Sequence, residues 1–372
     1  MRKTKGMSSW LTRGIGVGIA VCALVAVMAS VRVPKVSADQ GNPDVLGMVF
    51  DGHSVSNVEN SIKFYKILGF TVVQKPSGFK VDKSLNKLEG LPADTKSRTA
   101  VLEVQSSVSQ TPWRLYLHEY KGIPQKNYSD LDSGALGAGH MDLTVMDDCN
   151  IVMNKEKAAG LLKVPDIPMM RNGGGVGKDG VRRFSFIQDP DGWYIELFAL
   201  PTPAPGVRPD AGKLSNSTAT MANMNRLGYQ MGFNHIGLNV SEAAAERKFY
   251  DGILGGDYPA IPKPGAGGGP MRGMVMLNGW FPQAPTDGMV RLEILGAGNN
   301  AGKTGPDEKL SDINVNYLAF QVKDIDKVYK QTTQDGATTV SDGGVIKVKG
   351  GRAVMLKDPN GLGYVELWEP SK

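Results

Sequence analysis

Apolar and polar positions along this chain change period in a way that repeats. A short β-like run reaches Val55, a polar cap follows at Ser56 and Asn57, and then Ile62, Phe64, Tyr65 and Leu68 fall at helical spacing before Gly69. The same order returns from Val240, with Lys248-Phe249-Tyr250 and Ile253-Leu254-Gly255 standing for Lys63-Phe64-Tyr65 and Ile67-Leu68-Gly69. Each predicts a strand followed by an amphipathic helix of about three turns that stops at glycine. A second pair of echoes is Asp189-Pro190-Asp191-Gly192 and Asp358-Pro359-Asn360-Gly361. Both are tight-turn sequences between alternating runs, so each half of the chain is expected to end in a hairpin.

Two further strand-then-helix units open at His140–Val145 and Tyr317–Val322, the second continuing from Asp324 to Gly336. Four units result, near 45–120, 137–200, 231–297 and 313–370, each reading strand, helix and about three strands. The Pro- and Gly-rich residues 201–230 are the one long linker, dividing a first domain, 45–200, from a second, 231–370.

Composition adds little to this until the first 38 residues are set apart. The 372 residues carry 42 Lys+Arg against 37 Asp+Glu, a formal charge of +5. Residues 1–38 hold six of those bases (Arg2, Lys3, Lys5, Arg13, Arg32, Lys35) and no acid. Basic residues, an apolar run from Ile15 to Val31 and the small-residue ending Val36-Ser37-Ala38 read as a secretory signal peptide. An exported, periplasmic or extracellular protein is expected, with an uncleaved N-terminal membrane anchor as the alternative. After cleavage 36 bases face 37 acids, a net −1, and no stable membrane span is expected. The charge argument for a nucleic-acid partner then disappears. Cleavage also removes Cys22, leaving Cys149 beside Asp147 and Asp148 and without a disulfide partner, so Cys149 reads as structural. The 47 glycines suit a chain of short strands and many turns.

The repeated helix end, Phe64-Tyr65 to Leu68-Gly69, and the Asp-Pro-Asp/Asn-Gly turns leading to Glu196-Leu197 and Glu366-Leu367 resemble the vicinal oxygen chelate superfamily. This group includes glyoxalase I, extradiol dioxygenases and the fosfomycin- and bleomycin-resistance proteins. The resemblance covers nearly all the chain after residue 45. It implies an α+β fold of two tandem double-βαβββ domains, whose curved mixed sheets form clefts. In that family each unit offers one ligand from its first strand and one Glu from its last. Here unit one offers Phe50 and Tyr116, unit two His140 and Glu196, unit three His235 and Glu293, and unit four Tyr317 and Glu366. The inner units are intact and the outer ones are not.

A cleft needs two units, and two pairings are open. Neighbour pairing leaves His140 and Glu196 in one cleft and His235, Glu293 and Glu366 with Tyr317 in the other. Pairing units two and three unites His140, Glu196, His235 and Glu293, and leaves a degenerate cleft from units one and four; this second pairing is favoured. Two imidazoles and two carboxylates suit a divalent metal, Zn, Ni, Co or Mn. The metal would polarise a carbonyl while a displaceable Glu196 or Glu293 moves a proton, which is lyase or isomerase chemistry on a small oxygenated substrate. Two rival readings stay open: an extradiol-type Fe(II) ring-cleaving dioxygenase, which needs His118 or His53 to join a cleft, and a metal-free binding protein for a small hydrophobic or aromatic ligand.

Strand parity adds Asp142, Arg291 and Tyr194 as substrate contacts, and could turn His118 toward the outer cleft. His53, on the opposite parity, reads as a packing residue. Glutathione-using relatives carry Arg four positions past the ligand, where this chain has Thr144 and Asn239, which argues against glutathione. The glycine-rich stretches 172–179 and 265–273 read as loops near the cleft, since Lys178 precedes Asp179 rather than the Ser or Thr of a phosphate loop.

Overall fold

The computed structural model describes residues 42–107, 111–131, 135, 137, 139–167, 175–200, 231–240, 243–256, 275–284, 288–296, 308–361 and 363–371. The leader 1–38, the linker 201–230, the stretch 265–273 and the beginning of 172–179 lie outside the described residues. The described end of that last stretch is a small turn, in which Gly177 N–H donates to Val181 O and Asp179 Oδ1 accepts from Val181 N–H.

Unit one comprises β1 (Val45–Ser54), α1 (Val58–Ile67), β2 (Thr71–Gln74), β3 (Lys80–Val81), α2 (Lys83–Leu88), β4 (Lys96–Val104) and β5 (Trp113–Lys121). Unit two has β6 (Gly139–Met146), α3 (Cys149–Ala158), β7 (Phe184–Gln188) and β8 (Tyr194–Leu200). Unit three has β9 (Met231–Val240), α4 (Ala243–Arg247) running into a wider π turn (Lys248–Ile253), β10 (Val275–Gln283) and β11 (Gly288–Gly296). Unit four has β12 (Asn316–Val322), α5 (Ile325–Gln334), β13 (Thr338–Thr339), β14 (Ile346–Val348), β15 (Gly351–Lys357) and β16 (Tyr364–Pro370).

Local chemistry accounts for these boundaries. Asn57, Asp148 and Asp324 cap α1, α3 and α5, each accepting a hydrogen bond from a backbone N–H of the first turn, where that N–H would otherwise be orphaned. Gly69, Gly255 and Gly336 follow the helices of units one, three and four with φ of 94°, 77° and 102°, which other residues resist. In the Asp-Pro-Asp-Gly turn, Asp189 Oδ1 accepts from the N–H groups of Asp191 and Trp193. Asp358 Oδ2 accepts from Gly363 N–H in the matching turn. The hairpins β7–β8 and β15–β16 follow.

The described strands form one continuous mixed sheet with few helices, an α+β fold of four units that each read strand, helix and two or more strands. Its order shows how the units meet. The first strands of units two and three, β6 and β9, run antiparallel side by side, and so do those of units one and four, β1 and β12. In every unit the last strand lies parallel to the first. Each cleft therefore takes one unit from each half of the chain. A bridge from β1 to β10, Met48 to Gln283, and another from Ser106 to Phe233 join the two unit pairs. Trp113 of unit one stacks on Phe233 of unit three at 4.4 Å, with its Nε1 donating to buried Asp51 at 2.6 Å.

His53 is a packing residue as its parity predicted. It is fully buried, stacks on Trp193 at 4.8 Å and meets Asp189 Oδ2 at 3.1 Å. Cys149 is buried and unbridged, and burial together with Asp148 pushes its thiol up to about 12, which makes it inert. Among the described residues no helix is long and apolar enough to cross a membrane.

Candidate metal centre

The antiparallel pairing of β6 with β9 sets Asp142 opposite His235 and His140 opposite Gly237. The parallel pairing of β8 with β6 and of β11 with β9 brings Glu196 beside Asp142 and Glu293 beside Gly237. Alternation along each strand turns His140, Glu196, His235 and Glu293 to one face, where all four are buried. The imidazole Nε2 atoms are 3.2 Å apart. His140 Nε2 lies 3.2 Å from Glu196 Oε2 and 3.4 Å from Glu293 Oε2. The corresponding distances from His235 Nε2 are 3.7 and 3.5 Å. One donor from each residue falls within 4.8 Å of all the others.

These spacings fit a divalent cation. A tetrahedral ion bound by N and O at about 2.0–2.2 Å needs donors about 3.3–3.6 Å apart. The electrostatics fit as well. Burial opposes charge on His140, but Glu196 and Glu293 outweigh it and push its pKa up to about 10. Burial and Arg291 oppose charge on His235, and Asp142 with Glu293 still raise it. The buried carboxylates thus draw positive charge to this point, which a divalent ion would supply. Glu293 Oε1 is buried with no hydrogen-bond partner.

The two glutamates differ. Burial and nearby Asp142 raise the pKa of Glu196, whereas His235 and His140 overcome the burial of Glu293 and hold it well below the usual carboxylate range.

Behind His235 stand groups that fix its ring. Nδ1 faces two acceptors, Asp142 Oδ2 at 3.0 Å and Asn234 Oδ1 at 3.2 Å, and also the Arg291 guanidinium. Asn234 is held in this orientation because its Nδ2 donates to Thr144 Oγ1 at 3.2 Å. The two acceptors favour a proton on Nδ1 and the guanidinium, which can only donate, opposes it; with the proton on Nδ1, the Nε2 lone pair turns to the other three donors. Arg291 also lies 3.8 Å from Asp142 Oδ2. Asp142 and Arg291, expected as substrate contacts, are thus placed against His235 and each other. Tyr194, the third, is buried beside His140 in the β6–β8 ladder and its hydroxyl donates to Leu131 O at 2.8 Å.

Sequence reasoning missed Asn234 and Gly237. The β6–β9 register slips between Asp142 and Leu143, leaving Asn234 as the unpaired residue of a bulge. Simple alternation would have sent its side chain away from the site. A Cβ on Gly237 would stand 1.8–2.5 Å from three atoms of the His140 ring, so His140 reaches the cluster only across a glycine. The signal was present in the sequence: Gly237 lies two after His235, as Gly52 lies two after Phe50.

Units one and four repeat the geometry with a single carboxylate, Glu366, and no imidazole at the matching positions. Phe50, Tyr116, Tyr317 and Glu366 occupy the corresponding positions, and the Tyr317 ring crosses Gly52, where a Cβ would meet it at 2.0 Å. His118 joins this outer group, its Nε2 3.1 Å from the Tyr317 hydroxyl.

No curated protein matches the chain. Residues 232–364 match the family model described as Glyoxalase/Bleomycin resistance protein/Dioxygenase superfamily. Among solved structures the chain is similar to glyoxalase I from Zea mays, with a TM-score of 0.52 at 18% identity over 87% of this chain and 92% of that one. A point mutant of the same maize enzyme gives a TM-score of 0.50 at 16% identity over the same shares. At such identities the likeness is one of fold.

Proposed function

We propose that this chain, whose residues 232–364 match the model of the Glyoxalase/Bleomycin resistance protein/Dioxygenase superfamily, is a divalent-metal-dependent lyase or isomerase acting on a small oxygenated compound. The observation that carries this reading is the convergence of His140, Glu196, His235 and Glu293, one donor each, within 4.8 Å.

These four residues would hold the ion, Zn, Ni, Co or Mn by the chemistry of the donor set. When bound, it supplies Lewis acidity toward a substrate carbonyl or hydroxyl oxygen. The protein's own groups divide the remaining work. Glu293, kept ionised by two imidazoles, is the anchor. Glu196, whose proton affinity is raised by burial and by Asp142, is the base that takes a proton from the carbon beside the carbonyl and returns it. Asp142 and Asn234 hold the His235 ring so that Nε2 faces inward. Thr144 accepts from Asn234, and Asn239 Nδ2 donates to Ala135 O at 3.3 Å; neither offers the cationic contact that a glutathione carboxylate needs. The signal-like residues 1–38 support an exported enzyme, which predicts a mature protein beginning at Asp39 by mass spectrometry.

The dioxygenase reading needed His118 or His53 as a ligand, and neither belongs to the cluster. Metal analysis of the purified protein separates the readings. One equivalent of Zn, Ni, Co or Mn is expected in the wild type, and loss of it in both His140→Ala and His235→Ala. Unchanged metal content in those variants would sink the proposal, and tightly held Fe(II) would move it to the dioxygenase.

A further inference from the structure

The outer unit pair encloses a cavity of about 900 Å³, within the range of small-molecule sites. Its inner wall is aromatic. Phe50 and Tyr116 lie with ring centroids 4.2 Å apart, and Tyr317 stands edge-on to Phe50 at 6.1 Å. Tyr317 is locked by the contact from its hydroxyl to His118 Nε2, while Thr99 Oγ1 lies 3.0 Å from His118 Nδ1. Burial, helped by His53, lowers the His118 pKa to about 4, so this imidazole brings no charge. The mouth reaches solvent past half-buried Asp82 and exposed Ser84 and Lys349.

Glu366 lines this cavity, is only 6% exposed, and has no hydrogen bond or ion pair among the described residues. The titratable groups acting electrically on or through it are Glu89, Tyr116 and Tyr317, none of them a cation. Arg114, at the rim, is committed to Glu103 at 2.7 Å. Burial alone pushes the Glu366 carboxyl up to about 8. A buried carboxyl facing a roomy cavity without a partner is costly. One carboxylate among rings is a poor metal site, but ring faces and an acid together suit an organic cation.

We propose that the outer cleft binds, without a metal, a small organic amine, its ammonium group against Glu366 and its apolar body on Phe50, Tyr116 and Tyr317. The inner cluster takes no part, so this second site stands or falls independently of the proposed reaction.

The test is calorimetric titration of the metal-loaded full-length protein with three probes that share a phenyl body: 2-phenylethylamine, its neutral analogue 2-phenylethanol, and the anion 3-phenylpropionate. Saturable 1:1 binding of the amine is expected, at least tenfold tighter than the alcohol, with no binding of the anion. Glu366→Gln should weaken the amine at least tenfold, keep the alcohol within threefold and leave metal content unchanged. Tyr116→Leu should weaken both at least threefold, and His140→Ala should bind the amine as the wild type does. Amine binding that is absent, no tighter than the alcohol, or indifferent to Glu366→Gln would overturn the proposal, as would its loss in His140→Ala.

Discussion

Asp142 and Gly237 govern the candidate metal centre without supplying a donor to it. Asp142 Oδ2 lies 3.0 Å from His235 Nδ1, and contacts of this kind typically change metal affinity about 10–100-fold. Asp142→Asn is therefore expected to weaken the metal by that factor in competition with a chromogenic chelator, while His235→Ala removes it. Gly237→Ala drives a methyl into the His140 ring and should abolish tight binding. Gly52→Ala, its counterpart under Tyr317, should leave metal content intact and disturb only the outer cleft. Equal metal loss in both variants would mean that general misfolding is responsible. The four residues were legible through the family resemblance, which marks one position in the first strand and one Glu in the last strand of each unit, and the two-residue period of a strand only assigned each to a face. Asn234 was not, since a bulge breaks that period at the residue beside the ligand.

Among the elements, α3 shows how a fold tolerates a misplaced charge. Its Glu156 is fully buried, both carboxyl oxygens lack partners, and burial pushes its pKa up to about 8. The folded state therefore keeps a proton that the unfolded chain releases above about pH 4.5. Stability contributed by this group is full below that pH and is lost as pH rises through about 8. Glu156→Gln should raise the melting temperature by a few degrees at pH 8, with the gain shrinking to nothing near pH 4.5, as followed by circular dichroism. A gain independent of pH would rule out the buried carboxyl as its cause. Helix ends and hairpins were readable from the sequence because single residues decide them: Asn57, Asp148 and Asp324 as caps, and Asp189 and Asp358 as turn formers. The π turn at Lys248–Ile253 and the inserted α2 of unit one were not, since the repeat carries the same apolar spacing whether the turn is tight or wide and has no counterpart for the insertion.

At the scale of the molecule, the pairing of units decides what the sequence left open. Composition and spacing allow either partnership, and the choice rests on contacts between distant strands, such as β6 with β9 and β1 with β12. Each half of the chain then holds one imidazole and one carboxylate of the inner cluster. Cutting within residues 201–230 should give two fragments that bind metal weakly alone and regain one tight equivalent when refolded together, read by the metal retained on gel filtration. Tight binding by either fragment alone would contradict the crossed arrangement.

That arrangement also fixes when a metal can be chosen. His140 and His235 are 95 residues apart, and neither meets the other until β6 and β9 have zipped across the long connection, a non-local event that comes late in folding. An incomplete chain offers any ion only half a chelate. Which metal enters is then set less by the donors' intrinsic ranking than by which ions surround the chain at the moment its folding is completed.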